Sequence, residues 1–188
     1  MITGEKLPTI ETERLRLRHL EESDTDSLFE IFSNEEAMRF WSWVPYRERA
    51  QAVKLLGEIR ENFRQKSHLQ WGIALRSSDL VIGTTTLFRF DEQSRRAELG
   101  YILNRRFWGK GYVNEALSAL FDFAFEKLNL NRLEADIEPR NLASVKTVER
   151  LGFQREGLLR ERWIVGDEIQ DSLFYGLLRK DWKGGKTI

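Results

Sequence analysis

Arg106-Phe107-Trp108-Gly109-Lys110-Gly111 is the stretch on which the reading of this chain turns. It lies between a segment that reads as a strand, Arg95 to Leu103, and one that reads as a long amphipathic helix, about Gly111 to Leu128. A phosphate-binding turn needs small residues so that backbone N–H groups can come close to an anion. A helix N-terminus adds unpaired N–H groups and the positive end of the helix dipole. Arg106 and Lys110 add positive charge. The segment therefore reads as an anion site, beside the plainer reading of a glycine turn that links strand to helix, since short glycine motifs are frequent by chance. Two common phosphate motifs fit less well. A Walker loop needs Ser or Thr after its Gly-Lys, and here Gly111 and Tyr112 follow Lys110. A dinucleotide fingerprint needs a third glycine where Asn114 stands.

Working outward, Val113, Ala116, Leu117, Leu120 and Ala124 form one stripe of the helix that follows. Upstream, Leu69 to Arg76, Leu80 to Phe90 and Arg95 to Leu103 read as three strands on short turns, hence antiparallel neighbours. Before them, Ala52, Leu55, Leu56, Ile59 and Phe63 recur at helical spacing in a helix of about Arg47 to Gln65, after Pro45. Ala37 to Tyr46 reads as an irregular aromatic stretch. Ser23 offers an N-cap to a helix with Leu28, Phe29, Ile31 and Phe32 on its apolar face. Arg14 to Leu20 alternates as a half-buried strand does. Downstream, Arg132 to Ile137 reads as a strand. Asn141 starts a helix that ends at Leu151, with Gly152 as its C′ residue. Two last strands, Phe153 to Val165 and Glu168 to Leu178, meet in a tight turn at Gly166-Asp167. The class expected is α/β in the broad sense (α+β in detail): helices interrupt a mixed, mostly antiparallel sheet. The 188 residues suit one domain, with a core of about residues 11–182 and loose ends at Met1 to Pro8 and Lys183 to Ile188.

Composition narrows the chemistry. Thirty Lys and Arg balance 30 Asp and Glu, so the basic excess of a dedicated nucleic-acid binder is missing. Without cysteine there is no disulfide, thiolate metal site or cysteine nucleophile. His19 and His68 are the two histidines and lie far apart in sequence, which argues against a histidine metal site or a Ser-His triad. No apolar run approaches the roughly 18 residues of a membrane span. No secretion signal is visible, so a cytoplasmic protein is expected.

With these blocks in place, the chain resembles the GCN5-related N-acetyltransferase superfamily. Arg106-x-x-Gly109-x-Gly111 matches its (Arg/Gln)-x-x-Gly-x-(Gly/Ala) hallmark, preceded by Ala97-Glu98-Leu99-Gly100-Tyr101-Ile102-Leu103. The block from Asn141 through Ser144 to Leu151-Gly152-Phe153 is a second match. The opening Thr12-Glu13-Arg14-Leu15-Arg16-Leu17-Arg18 is similar to the branch with the ribosomal-protein alanine N-acetyltransferases. So is Gly166-Asp167 followed by Asp171, Tyr175 and Leu178 to Trp182. The resemblance spans about Glu11 to Trp182.

The resemblance implies a sheet whose fourth and fifth strands, Ala97–Leu103 and Arg132–Ile137 here, splay apart to admit acetyl-CoA. The pantetheine arm would pair with backbone near Ile102 and Leu103, as an added strand does. The pyrophosphate would sit on N–H groups from Phe107 to Tyr112, that is Phe107, Trp108, Gly109, Lys110, Gly111 and Tyr112, with Arg106 beside them. Asn141 would lie near the pantetheine. The reaction implied is direct transfer of acetyl from the thioester to a neutral amine, with no metal. An α-amine titrates near ~8 and a lysine amine near ~10.4, so a protein N-terminus needs less help from a base. Glu98 stands where many relatives carry the base, or is a strand glutamate that faces solvent or pairs with an arginine. The tyrosine that many relatives use as acid is replaced by Val148. Ser144 is the substitute implied, or a first-turn hydroxyl that caps the backbone. A backbone N–H near Leu103 could hold the oxyanion. Trp41 and Trp43, with Phe40 and Tyr46, are either an acceptor wall or core packing, and Glu161 is either acidic machinery or an exposed strand residue. The expected function is transfer to a protein N-terminal α-amine. The competing readings are a polyamine, antibiotic or amino-acid acceptor, a coenzyme-A-binding module without turnover, and a nucleotide site. Homodimers are frequent in the branch it resembles.

Overall fold

The computed structural model describes residue 4 and residues 6–184. Eight strands form one sheet in the order β1-β2-β3-β4-β5-β6-β8-β7. They are β1 (Ile10–Glu11), β2 (Leu15–Arg18), β3 (His68–Leu75), β4 (Val81–Asp91), β5 (Arg96–Leu103), β6 (Arg132–Ile137), β7 (Gln154–Val165) and β8 (Glu168–Leu178). Every neighbouring pair is antiparallel except β5 with β6. The helices are α1 (Thr25–Ser33), α2 (Glu35–Met38), α3 (Arg49–Arg64), α4 (Tyr112–Glu126) and α5 (Leu142–Arg150).

Strand alternation sends neighbouring side chains to opposite faces, and two hydrophobic clusters result. Trp71, Ile73, Leu99, Leu103, Leu133 and Ala135 pack with α4 and with Val148 of α5. Ala74 and Ile102, one residue away from members of the first cluster, instead pack with α1, α2 and α3 through Leu28, Phe32, Met38, Leu56 and Ile59. The sheet thus carries helices on both faces, which is why β3 and β5 are apolar in both registers.

Local chemistry changed some boundaries. α1 is not capped by Ser23. Asp24 accepts from the Arg18 guanidinium at 2.7 and 2.9 Å and from the Glu21 N–H at 2.8 Å. That buried acid fixes a 3-10 turn, Glu22–Asp24, which leads into α1. The stretch expected to be irregular from Ala37 starts inside α2, whose N-cap Asn34 accepts from the Ala37 N–H at 2.9 Å. Gly152, at φ +93°, ends α5 as its C′ residue. The expectation of a loose start fails at Leu7, which is buried in the first cluster, and at Pro8, whose carbonyl accepts from the Trp71 indole at 2.9 Å. The rest of that expectation, at residues 1–3, 5 and 185–188, lies outside the described residues.

One irregularity in the sheet matters most. β5 and β6 pair at Arg96↔Arg132, Ala97↔Leu133 and Glu98↔Glu134 and no further. β6 remains paired with β8 to its end, and β5 with β4 to Leu103. The two parallel strands therefore part after Glu98, and the sheet opens between them.

Candidate active site

The glycine turn leaves the open end of β5. Asn104 caps a 3-10 turn, Arg105–Phe107, by accepting from the Arg106 N–H at 3.0 Å. Gly109 has φ +72° and Gly111, the N-cap of α4, φ +79°. An L-residue in that region costs about 1–2 kcal/mol, so glycine is favoured at both. Among the described residues no group accepts from the N–H of Gly109, Lys110 or Gly111. Together with the first-turn N–H groups of α4, these are free to bind an anion. The segment thus offers unpaired backbone donors at the start of α4. Its cations lie differently from the expectation. The Arg106 guanidinium reaches Glu30 of α1 at 3.2 Å, and that of Arg105 reaches Glu36 of α2 at 2.7 Å. Hydrogen bonding from Asn104 holds the Glu30 carboxyl below its usual value; burial opposes this and Arg106 adds to it. Lys110 sits over the Phe107 ring.

Backbone direction along β5 separates neighbouring residues. The Asn104 N–H donates to Ile82 of β4 at 2.8 Å, and the Ile102 carbonyl faces Gly83 of the same strand. Alternation turns the even-numbered backbone groups toward β4 and the odd-numbered ones toward the opening. The backbone groups of Ile102 therefore face β4, and those of Tyr101 and Leu103 face the opening. Even there one acceptor is taken, because the Trp108 indole donates to the Leu103 carbonyl at 2.8 Å.

Glu98 occupies the last rung before the opening and is 6% exposed. The Arg89 guanidinium donates to its Oε2 at 2.9 Å, which leaves Oε1 to accept from solvent or substrate. Burial pushes the Glu98 carboxyl up; Arg89 opposes this, the Asp136 charge adds to it and Arg162 opposes it. Arg89 lies at φ +50°, on a bulge of β4, and its guanidinium also covers the Trp163 ring. Asp136 is a site residue that the sequence did not single out. On splayed β6, it accepts from the Ser172 hydroxyl, from the Trp163 indole at 3.1 Å and from Arg162 at 3.4 Å. Glu98, Arg89, Asp136, Arg162 and Trp163 thus come from four strands. The signal was faint: Asp136 is the lone acid in Ala135-Asp136-Ile137, on the polar register of β6.

On the other side of the opening, the Asn141 side-chain oxygen caps α5 by accepting from the Ser144 N–H at 3.2 Å. Its amide nitrogen remains available. Ser144 thus contributes its N–H to the cap, not its hydroxyl. Val148, at the place where the resemblance implied a tyrosine in relatives, is fully buried in the first cluster. A different tyrosine stands nearby. Among the described residues the Tyr101 hydroxyl, on β5, is buried with no hydrogen bond of ordinary geometry, although the Ser144 and Thr147 hydroxyls lie near it. Burial pushes that phenol up, and the neighbouring Ser144 and Thr147 hydroxyls pull it back. The structure thereby brings Tyr101 of β5 to Ser144 of α5 across the opening.

The aromatic stretch divides. Trp41 packs against the second cluster and meets Phe32 edge-on, so for Trp41 the packing reading describes its position. Trp43 is 38% exposed and stacks on Phe32. Phe40 lies against Arg140, just past the end of β6, which places the stretch beside the mouth. Glu161 is exposed on a bulge of β7 at φ +51°, its N–H bound to Asp171 at 2.8 Å. It is Arg162 and Trp163, its neighbours, that turn to Asp136. Among the described residues no group of three or more His, Asp or Glu could hold a metal ion, and no helix is long and apolar enough to cross a membrane.

A family model described as an acetyltransferase (GNAT) domain matches residues 14–154. The chain is 36% identical over 178 residues to an uncharacterized N-acetyltransferase, p20, of Bacillus licheniformis, covering 95% of this chain and 100% of that protein. It is 26% identical over 181 residues to the ribosomal protein uS5 alanine N-acetyltransferase of Escherichia coli K12, covering 93% of each. The solved structure of a GNAT-family acetyltransferase from Bacillus anthracis, 22% identical, has the same fold with a TM-score of 0.82 over 92% of this chain and 99% of that chain.

Proposed function

Since the chain belongs to the GNAT acetyltransferase family and is an acetyl-CoA-dependent N-acetyltransferase, we propose that its acceptor is a protein N-terminal α-amine. The donor's pyrophosphate binds the N–H groups from Gly109 to Tyr112, since those of Phe107 and Trp108 already donate to the Asn104 and Arg105 carbonyls, and its pantetheine arm lies along Tyr101 and Leu103 with the Asn141 amide beside it. The neutral amine attacks the thioester carbonyl carbon. Its nitrogen loses a proton toward Glu98 Oε1, directly or through water. The Leu103 N–H holds the oxyanion. As the C–S bond breaks, the electron pair passes to sulphur, which accepts a hydrogen bond or a proton from Ser144 or Tyr101. Trp43 walls the acceptor side, with Glu161 at its rim.

The observation that carries the choice of acceptor is the Glu98–Arg89 pair at 2.9 Å. Even raised by burial, a carboxylate tempered by a guanidinium stays a weak base beside a lysine amine. It suffices for an α-amine near ~8 and is poorly matched to an amine near ~10.4. The same face argues against a polycation. Glu98, Glu134 and Asp136 each have an arginine partner, so no bare anionic well is left. Similarity to a ribosomal-protein alanine N-acetyltransferase supports the reading further.

The test is thiol release from acetyl-CoA with peptides of free N-terminus, the same peptides N-blocked but carrying lysine, and panels of polyamines, aminoglycosides and amino acids. Turnover is expected with free N-termini. Turnover confined to the small amines would overturn the choice of acceptor.

A further inference from the structure

Arg14 holds the glycine turn from outside. Its Nη1 donates to the Lys110 carbonyl at 2.9 Å, and its Nε donates to Glu115 Oε2 at 2.6 Å. The guanidinium also covers the Tyr112 ring, with 4.7 Å from its carbon to the ring centroid. Its own backbone is fixed on both sides: the N–H donates to Glu115 Oε1 at 2.8 Å, and the carbonyl accepts from the Arg76 N–H at 3.0 Å. Thr12 adds a hydroxyl bond to Glu115 Oε1 at 2.6 Å. Glu115 lies in the first turn of α4. Burial pushes its carboxyl up, but the bonds from Thr12 and Arg14 outweigh this and hold it down, so it stays charged.

The consequence follows from the planar trans peptide. The C=O of one residue and the N–H of the next point in opposite directions. With the Lys110 carbonyl drawn to Arg14, the Gly111 N–H must point away from Arg14. Without that anchor the Lys110–Gly111 peptide could turn over, because glycine accepts either sign of φ. A lysine could not replace the arginine, since only the planar fork serves a carboxylate and a carbonyl together.

We infer that Arg14 is a positioning residue for the donor: it sets the Lys110–Gly111 peptide so that the Gly111 N–H faces the pyrophosphate. Glu115 and Thr12 hold the arginine in place. The inference rests on the reading of the 107–112 turn as the pyrophosphate site.

The test compares acetyl-CoA with S-acetylpantetheine, which has the thioester but no pyrophosphate. The readout is the ratio of kcat/KM for the two donors, in the wild type, Arg14→Ala and Arg14→Lys, with thermal unfolding as the control for folding. The ratio is expected to fall about tenfold or more in both variants, as suits loss of a hydrogen bond to a charged group. A folded variant that keeps the wild-type ratio overturns the role of Arg14 alone. Equal use of both donors by the wild type overturns the pyrophosphate site itself, and the role of Arg14 with it. If Arg14→Ala does not fold, Arg14→Lys decides, because it keeps a cation against Glu115.

Discussion

Glu98 of β5 and Glu134 of β6 face one another on the last rung that joins the two strands, and past them the sheet is open. Both are buried, but their partners differ. Glu134 accepts from Arg96 at 2.8 Å and from Arg132 at 2.9 Å, one oxygen for each. Glu98 has Arg89 on one oxygen and keeps the other. One acid closes the rung and the other stands at the opening with capacity to spare.

That difference separates the two substitutions. Glu98→Gln should lower turnover by about 10²-fold or more, the usual worth of a general base. Acetyl-CoA affinity by calorimetry should stay the same. Glu134→Gln should instead lower stability by about 1–3 kcal/mol in urea unfolding, since it weakens a buried pair with two arginines. Unchanged turnover in Glu98→Gln would remove Glu98 from the mechanism.

The raised Glu98 carboxyl has a pH signature. As a base it must be ionised, so kcat/KM should fall on the acid side at a pH above that of an ordinary glutamate. This limb should be missing in Glu98→Gln. The sign for stability is the reverse of the usual carboxylate case. A carboxyl whose pKa is higher in the folded protein costs stability as pH rises from the unfolded to the folded value. Glu98→Gln should therefore lose less stability than the wild type between those two points. Pulling the other way, Arg89 and Arg162 favour the ion while Asp136 opposes it.

At the turn, Gly109→Asp or Gly111→Asp should abolish acetyl-CoA binding by calorimetry. Each forces an L-residue into positive φ and sets a negative charge against the pyrophosphate. Affinity retained in either would remove this turn as the donor site.

Tyr101→Phe should leave stability unchanged or raise it, because it deletes a buried hydroxyl that makes no well-formed hydrogen bond among the described residues. If that hydroxyl serves the departing sulphur, turnover falls nonetheless, and more steeply with Ser144→Ala in the same chain. Turnover of wild-type size in the double variant would leave the leaving group without help from this pair. Thermal unfolding and steady-state kinetics on the same preparations separate the two effects.

Asp136→Ala should cost about 1–3 kcal/mol in urea unfolding, because the Ser172 hydroxyl and Trp163 indole lose their acceptor.

Much of this was legible in the chain. β6 and β8 match their expected limits of Arg132–Ile137 and Glu168–Leu178, since alternation and turn residues are local signals. The two glycines of the turn announced their own conformations, and Gly152 its place after α5. What eluded the sequence is what depends on partners remote in the chain. Nothing near Ser23 tells that Asp24 is held by Arg18 from the preceding strand. Nothing in Tyr101-Ile102-Leu103 tells which carbonyls face the opening, because that parity is set by pairing with β4. Leu7 looked loose because its cover comes from distant strands and helices.

The sequence by itself determined the order of the longer strands and helices (though not β1 or α2), the glycine turn that leads into α4, and the family of the chain. Those rest on short-range periodicity and on glycines whose backbone no other residue adopts easily. Tertiary structure alone decided that β5 and β6 part after Glu98, that Arg89 from a bulge 9 residues upstream tempers that acid, and that Arg14, 96 residues before Lys110, orients its peptide. Such roles depend on distance and direction between side chains, and a residue's type fixes neither until the sheet has set the register.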